Sequence, residues 1–417
     1  MKSFSFVPFL CIKIMLNKVK QLLAFLRKNK KVFINGFIII LFIRFGFMIF
    51  NNWNHGNTGL PGIQYLTDSF RYIGAADKLI NNDSLDYKEI QYSGYILLIA
   101  FFKLFSESLK GVIIIQLVFA LISAYALYQI AYIITGKLLA GFIAISLYLI
   151  NPFICSWHTY IMTESLYTSF LVISCWSLIR FLERKSSLNL IFFLCVMFIT
   201  LCIRPNGWVL IPIALSFFMI DFFRNSFLKT LGVIAVITGF VLCIFFLPFT
   251  NRSIQNIGTQ KILMNDVLLN GEVIPDHKEL RVNMPRDSTL MKKNWTHSIY
   301  YIARHPLAYA KLATLRAVTE LFQIRRPWYS AKYSLRWYFW LFPAYFFAML
   351  GLFFFRRMIS VKVILAIILA HLLIISVTFA DHDARFLNYF LPLIYVLSGC
   401  GFTFLFYKLI PQGKQNS

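Results

Sequence analysis

Residues 110–133 of the chain read "KGVIIIQLVFALISAYALYQIAYI", and Lys110 at the start is the only charged side chain among them. An α-helix rises about 1.5 Å per residue, so a run of this length crosses the roughly 30 Å hydrocarbon core of a bilayer. A helix also satisfies its backbone hydrogen bonds internally, which a lipid environment demands. This stretch therefore predicts a transmembrane helix.

Comparable apolar runs recur along the whole chain. Hydrophobic residues make up 59% and charged residues 14% of the 417 positions, whereas soluble domains carry about 25% charged residues. The sequence thus predicts an all-α polytopic membrane protein with about ten transmembrane helices. The predicted spans are 32–51, 110–133, 138–151, 160–181, 188–203, 208–223, 229–249, 336–355, 361–379 and 386–407. Residues 92–105 are shorter and interrupted by Lys103, so we predict a re-entrant or surface-lying helix there.

The distribution of charge orients these spans. The formal net charge is +24, and the Lys and Arg residues of membrane proteins concentrate in cytoplasmic segments. Residues 1–31 contain Lys and Arg but no acidic residue, which predicts a basic segment attracted to anionic lipid. The later inner turns also carry Lys or Arg, so both termini are predicted inside a multi-pass protein of the cell inner (plasma) membrane. The positive charge is thereby attributed to topology and not to a nucleic-acid partner.

This threading divides the chain into five segments. They are a basic cytoplasmic segment (1–31), an N-terminal transmembrane catalytic module (32–249) that includes a first outer loop (52–91), a small extracytoplasmic cap (250–335), C-terminal transmembrane helices (336–407) and a cytoplasmic tail (408–417). The cap is rich in aromatic and basic residues. Because aromatic faces stack on sugar rings, we expect acceptor choice to reside there.

Several common catalytic motifs are missing from the sequence. It contains no G-x-x-x-x-G-K loop, no G-x-S-x-G motif and no H-E-x-x-H motif, which excludes an ATP-driven pump subunit. The seven cysteines lie in apolar stretches and form no C-x-x-C pair. We therefore predict buried apolar cysteines that form neither a disulfide framework nor a metal site. We also expect no cofactor.

Ionisable side chains gather at the predicted outer ends of the spans. Asp68 is the first acidic residue of the chain and lies in "TDSFRYIGAADKLI", residues 67–80. Such groups are costly near the membrane and indicate function. The threading brings distant members of the set to one side at similar depth. The candidate site residues are Arg44, Asp68, Tyr72, His158, Glu164, Arg204, His382, Asp383 and Arg385.

Simpler roles are open for four of these residues. Asp68 suits a helix N-cap, and Glu164 suits the first turn of a helix, where an acid complements the helix dipole. Arg204 suits a side chain that snorkels to the interface. Arg385 suits a local surface salt bridge with a neighbouring aspartate.

Together the residue types suit a lipid substrate with a phosphate head. Arg binds phosphate bidentately, a carboxylate can accept the proton of an attacking hydroxyl or amine, and apolar spans can hold a lipid tail. If the phosphate carries a sugar, the reaction is glycosyl transfer and Arg stabilises the departing phosphate. One carboxylate base then suffices, in contrast to the two carboxylates of most glycosidases. The predicted partners are a polyprenyl-phosphate-linked sugar donor, a lipid, glycan or protein acceptor, and membrane lipids.

Four blocks of the sequence resemble, in order and spacing, segments of integral-membrane glycosyltransferases of the GT-C superfamily. They are "TDSFRYIGAADKLI" followed by "YSGYILLIAFFKLF", "LINPFICSWHTYIMTESLYTSFLVISCW", "LCIRPNGWVLIP" and "DARFLNYFLPLIYVL". The resemblance covers nearly the whole chain. The group it points to is that of the bacterial protein-mannosyltransferase-like and aminoarabinose-transferase-like enzymes.

The resemblance implies a GT-C-like fold and an inverting transferase that works on the extracytoplasmic face. It implies Asp68 as general base, Glu164 as a second site acid, and Arg204 and Arg385 near the donor phosphate. Independently of the resemblance, Arg44 is a further candidate for binding the donor phosphate. Candidates for acceptor or sugar binding are Tyr72, His158, His382 and Asp383.

The chain also departs from the pattern of both groups. Protein O-mannosyltransferases place Asp and Glu side by side in the first loop, whereas Ser69 follows Asp68 here, which disfavours a protein acceptor. The Lys-Pro-Pro signature of the aminoarabinose transferases is absent, which disfavours lipid A modification. Alternative functions are a lipid-linked oligosaccharide polymerase or ligase that uses a diphosphate donor, a secondary transporter and a structural scaffold. The transporter is disfavoured because transporters place charged groups near the bilayer midplane.

Overall fold

The computed structural model describes residues 39, 41–51, 64–222, 232, 268, 270–275, 279–286, 295–323, 330–381 and 385–409. Within these residues the chain is α-helical, and β structure is limited to two isolated bridges, Gln64 to Tyr160 and Glu272 to Arg281. The described helices are α1 (Leu41–Asn51), α2 (Thr67–Ile80), α3 (Tyr87–Ile90), α4 (Ser93–Lys103), α5 (Lys110–Thr135), α6 (Leu138–Ile150), α7 (Pro152–Trp157), α8 (Thr163–Arg184), α9 (Ser187–Ile203), α10 (Leu210–Phe222), α11 (Trp295–Arg304), α12 (Pro306–Phe322), α13 (Ala331–Phe355), α14 (Ile359–Val377) and α15 (Leu387–Leu409). A 3₁₀ turn, Pro205–Val209, leads into α10.

Six stretches of the described chain are long and apolar enough to cross a membrane: α5, α8, α10 with its preceding 3₁₀ turn, α13, α14 and α15. Shorter apolar helices are α1, α4, α6 and α9. These helices confirm the predicted class, an all-α polytopic membrane protein. The predicted span 229–249 lies outside the described residues, apart from position 232, and so does the basic segment 1–31.

Two tight connections set the directions of the central helices. α5 ends at Gly136, whose φ of 64° is left-handed and whose N–H donates to the Tyr132 carbonyl at 2.7 Å. α8 ends at Lys185, which also adopts a left-handed conformation, and the Ser186 hydroxyl then caps α9 by accepting the N–H of Asn189. A turn this short makes α8 and α9 antiparallel neighbours. The N-terminus of α8 and the C-terminus of α9 therefore lie at the same end of the bundle.

The core of the bundle is formed around α8 and α15, in which most residues are buried. α13 and α6 approach α15 closely at glycines. A Cβ atom at Gly401 would lie 1.9 Å from the Phe347 carbonyl oxygen, and one at Gly399 would lie 2.3 Å from the Ala140 carbonyl oxygen. Small residues permit such close packing of helices in a membrane, where van der Waals contact is the main attraction. This packing fixes α15, the helix that follows Arg385.

The described parts of the predicted cap lie against the loop before α15. The Val282 N–H donates to the Gly271 carbonyl at 2.9 Å, and an isolated antiparallel bridge joins Glu272 to Arg281. The Val273 carbonyl then accepts the N–H of Ala380 at 3.0 Å. α12 packs against α14, and its Arg316 donates hydrogen bonds to the Glu272 carbonyl of the bridged segment. The segment that joins α14 to α15 is thus held from the side of the cap.

Candidate active site

Four helix ends converge at one end of the bundle. They are the N-termini of α2, α8 and α15 and the C-terminus of α9. The segments before α2 and α8 pair through their backbones, since the Gln64 N–H donates to the Thr159 carbonyl and the Ile161 N–H donates to the Gln64 carbonyl, both at 3.1 Å. This pairing brings the first turn of α2, with Asp68, next to the first turn of α8, with Glu164.

Glu164 is the buried centre of the cluster. Its side chain is only 1% exposed. Oε1 accepts hydrogen bonds from Nη1 of Arg204 at 2.6 Å, from Nε of Arg385, and from the hydroxyl of Tyr389 at 3.3 Å. Glu164 lies in the first turn of α8, as an acid that complements the helix dipole would. Its main contacts, however, are with the two arginines.

Arg204 ends α9 with extended backbone just before Pro205. Its guanidinium also donates to the Thr163 hydroxyl at 2.7 Å and lies 4.8 Å from the centre of the Tyr389 ring. The residue is 6% exposed, so it does not snorkel to the interface. A buried guanidinium with a carboxylate and an aromatic face around it is fixed in position.

Arg385 joins the two acidic residues that the sequence singled out. Its Nε donates to Glu164, and its Nη2 donates to Oδ2 of Asp68 at 3.0 Å. Nη1 lies 3.6 Å from Oδ2 of Asp381, so the local salt bridge exists as well. Burial disfavours the charged guanidinium, but the surrounding acids, Glu164 foremost, outweigh burial and raise the pKa of Arg385 well above its ordinary value. Arg385 stays a cation that bridges three carboxylates.

Asp68 is the accessible carboxylate of the cluster, with a side chain that is 32% exposed. It is not the N-cap of α2, because Leu66 occupies that position and the Ser69 hydroxyl accepts the Leu66 N–H at 2.9 Å. Its Oδ1 lies 3.0 Å from Nη1 of Arg71, and its Oδ2 accepts from Arg385. Asp68 therefore forms ion pairs on both oxygens while remaining open to solvent.

The other sequence candidates lie beside this cluster or away from it. Tyr72 is buried and accepts a hydrogen bond from Nη2 of Arg71 at 3.1 Å, so it helps to hold the Arg71 guanidinium in place. His158 is buried, and its Nδ1 lies 2.6 Å from the Ser165 hydroxyl. Arg44 is exposed on α1, lies over the ring of Phe47, and makes no ion pair with the described members of the cluster. The remaining two candidates, His382 and Asp383, lie outside the described residues.

Two contacts of the cluster were not anticipated from the sequence. Arg71 pairs with Asp68 from three residues further along the same helix, a spacing at which helical side chains meet. Tyr389 follows Arg385 by four residues and reaches Glu164 from α15. Both residues are visible in the quoted stretches. Their spacing was the available signal, but spacing alone does not tell which face of a helix points into a site.

Comparison with known families supports the resemblance drawn from the sequence. Residues 93–249 match the family model described as dolichyl-phosphate-mannose-protein mannosyltransferase. No curated protein matches the chain. The matched range contains Glu164 and Arg204, whereas Asp68 and Arg385 lie outside it. Over this range, which is less than half of the chain, the sequence is similar to that family, and the likeness supports a membrane glycosyltransferase of the GT-C type.

Proposed function

We propose that the protein transfers a sugar from a polyprenyl-phosphate donor to an acceptor, with inversion at the anomeric carbon and Asp68 as the single general base. The observation that carries this proposal is the position of Arg385, which contacts both Asp68 and Glu164. A phosphate-binding cation and a solvent-accessible carboxylate thus belong to one cluster. Transfer from a lipid phosphate requires this combination, since the base takes the acceptor proton and the cation stabilises the leaving phosphate.

The two site carboxylates have different environments, which suggests different roles. Glu164 is buried and holds two arginines on one oxygen, so an acceptor hydroxyl has no route to it. Asp68 is exposed enough to meet an acceptor. We therefore infer that Glu164 positions Arg204 and Arg385, and that Asp68 removes the proton.

Charge balance suggests how the donor activates this base. The described cluster pairs three arginines (Arg71, Arg204, Arg385) with three acids (Asp68, Glu164, Asp381). An added phosphate brings negative charge and competes for the guanidinium of Arg385. When Nη2 of Arg385 turns from Asp68 to the phosphate, Oδ2 of Asp68 is released to accept the acceptor proton. Arg is suited to this exchange because its planar fork fits carboxylate and phosphate equally.

The charge distribution supports an extracytoplasmic site. Basic residues mark the turns and helix ends at the opposite end of the bundle, among them Lys137, Lys185, Arg356, Arg357 and Lys408. Under the positive-inside rule that end is cytoplasmic. The cluster around Arg385 then lies on the extracytoplasmic side of the cell inner (plasma) membrane, and the segment 250–335 is proposed to cap it there.

The test is sugar transfer by purified protein from a panel of radiolabelled polyprenyl-monophosphate sugars, with a crude envelope extract as acceptor. We expect transfer by the wild type and a loss of at least about 100-fold in Asp68→Asn without loss of thermal stability. Asp77→Asn is the matched control, since Asp77 lies on the same helix and pairs with Lys103. We expect this variant to retain activity.

Glu164→Gln provides the contrast within the same assay. It leaves Arg204 buried with a weaker partner, so thermal stability and activity should fall together. Equal activity of wild type and Asp68→Asn would reject Asp68 as the base. Consumption of diphosphate-linked oligosaccharide alone would replace the proposal by a polymerase or ligase.

A further inference from the structure

The segment between α14 and α15 contains Asp381 and Arg385. A carboxylate from α12 accepts hydrogen bonds from the backbone of this segment and of the first residue of α15. Glu320 is fully buried. Its Oε2 accepts the backbone N–H of Asp381 at 3.0 Å, and its Oε1 accepts the backbone N–H of Leu387 at 2.8 Å. One carboxylate therefore holds the chain on both sides of Arg385.

These two hydrogen bonds are strong, and both act on the backbone next to Arg385. Each joins an ionised acceptor to a backbone donor, which makes it stronger than a neutral hydrogen bond. Leu387 is the first residue of α15, so its N–H has no partner within the helix. The carboxylate of Glu320 also lies at the positive end of the α15 dipole. All three effects favour one fixed position of the backbone next to Arg385.

Arg316, one turn before Glu320 on α12, donates hydrogen bonds to the end of α14 and to the segment around Glu272. The residue is 1% exposed. Nη1 donates to the carbonyl of Val377, the last residue of α14, at 3.3 Å, while Nε and Nη2 donate to the Glu272 carbonyl at 3.2 and 3.0 Å. α12 thus binds the end of α14 through an arginine and the start of α15 through a glutamate.

We propose that Glu320 is a positioning residue for glycosyl transfer, which holds Arg385 in register with Asp68 and Glu164 through the backbone. This inference rests on the proposed function, in which Arg385 binds the donor phosphate. Arg385 must reach two carboxylates on two other helices at once. A displacement of about 1 Å at a positioning contact can cost about 100-fold in rate.

A double-mutant cycle separates positioning from a general structural role. Glu320→Gln keeps the size of the side chain, but its amide nitrogen turns a donor toward one of the two backbone N–H groups. We expect kcat/KM for the polyprenyl-phosphate sugar to fall about 10- to 100-fold in the wild-type background and less than about 2-fold in Arg385→Ala. Glu183→Gln is the control. Its carboxylate accepts from the Ser360 hydroxyl at the opposite end of the bundle, so it should leave both values unchanged.

Hydrogen exchange supplies a readout that needs no substrate. We expect the amides of Asp381 and Leu387 to exchange at least about 10-fold faster in Glu320→Gln, and at the wild-type rate in Glu183→Gln. If Glu320→Gln does not fold, Glu320→Asp replaces it, because the shorter acid keeps the charge but cannot span both N–H groups.

These experiments distinguish a failure of the positioning role of Glu320 from a failure of the proposed function. Equal losses in both backgrounds, or unchanged exchange at these two amides, overturn the positioning role even if Asp68→Asn is inactive. If the wild type uses no polyprenyl-phosphate sugar, the proposed function fails and the positioning role in transfer falls with it. Faster exchange would then still show that Glu320 fixes the backbone beside Arg385.

Discussion

At the scale of single residues, Arg385 shows what sequence reasoning reached and where it stopped. The order of spans placed Asp68, Glu164, Arg204 and Arg385 at one end of the bundle, and the structure brings these four into contact. The rotation of each helix was not predictable. As a result of that rotation, the ring of Tyr72 packs against the buried rings of Tyr92 and Tyr95.

His158 illustrates a residue whose polarity suggested a site but whose surroundings suggest packing. Its ring meets Phe45 and Tyr148 edge-on, and its neighbour Ser165 provides the one polar contact described for the ring. Burial lowers the pKa of His158 from 6.5 to about 4. The imidazole is therefore neutral at pH 7 and adds no positive charge to the arginine cluster.

This lowered pKa predicts a loss of stability in mild acid. The unfolded chain binds a proton at His158 near pH 6.5, whereas the folded protein resists it until about pH 4. Stability present above pH 6.5 should thus decline as the pH falls toward 4, by up to roughly 3 kcal/mol. Thermal midpoints of wild type and His158→Gln in detergent at pH 7.5 and 4.5 test this. The wild type should lose more than the variant, and equal losses in the two proteins would contradict the prediction.

At the scale of helices, several boundaries of the long spans were predictable and their contacts were not. The predicted spans 110–133 and 386–407 agree with α5 and α15 to within about two residues, because apolar runs end where polar residues begin. α8 starts three residues later than predicted, since Met162 has extended backbone and occupies the position before the first helical residue. The apolar residues that precede α8 do not indicate in the sequence where the extended backbone ends and the helix begins. The pairing of helices depends on small residues whose partners only the fold reveals.

Gly401 provides a test of that pairing. An alanine Cβ there would lie 1.9 Å from the Phe347 carbonyl oxygen and 2.6 Å from the Gly351 nitrogen, so α13 and α15 must separate. We expect Gly401→Ala to destabilise the protein by about 1–3 kcal/mol, measured as a lower thermal midpoint in detergent. Gly74→Ala is the matched control on α2, because no atom of the described residues lies within 4 Å of its Cβ position. That variant should be unchanged or up to about 1 kcal/mol more stable, since alanine favours the helix. Equal midpoints for the two variants would show that α13 and α15 are not closely packed.

At the scale of the whole molecule, the two ends of the bundle differ in their charge. The acidic residues and arginines of the cluster lie at one end, and turns with exposed basic residues, such as Arg356 and Arg357, lie at the other. The sequence predicted this alternation because it follows from counting charges between spans. It could not predict that the arginines and acidic residues of the cluster form ion pairs with one another, since these pairs join residues as far apart as Asp68 and Arg385.

The orientation can be measured with two exposed serines at opposite ends. Ser108 lies just before α5, at the end that holds the cluster, and Ser187 begins α9 at the other end. In intact cells, a membrane-impermeant thiol reagent should label Ser108→Cys, and it should label Ser187→Cys only after permeabilisation. The unaltered chain serves as the blank, since its described cysteines lie in apolar helices or in the protein core. Labelling in the reverse order would place the arginine cluster in the cytoplasm. The contacts of Arg385 would then stand, but the positive-inside argument and the extracytoplasmic site would both be wrong.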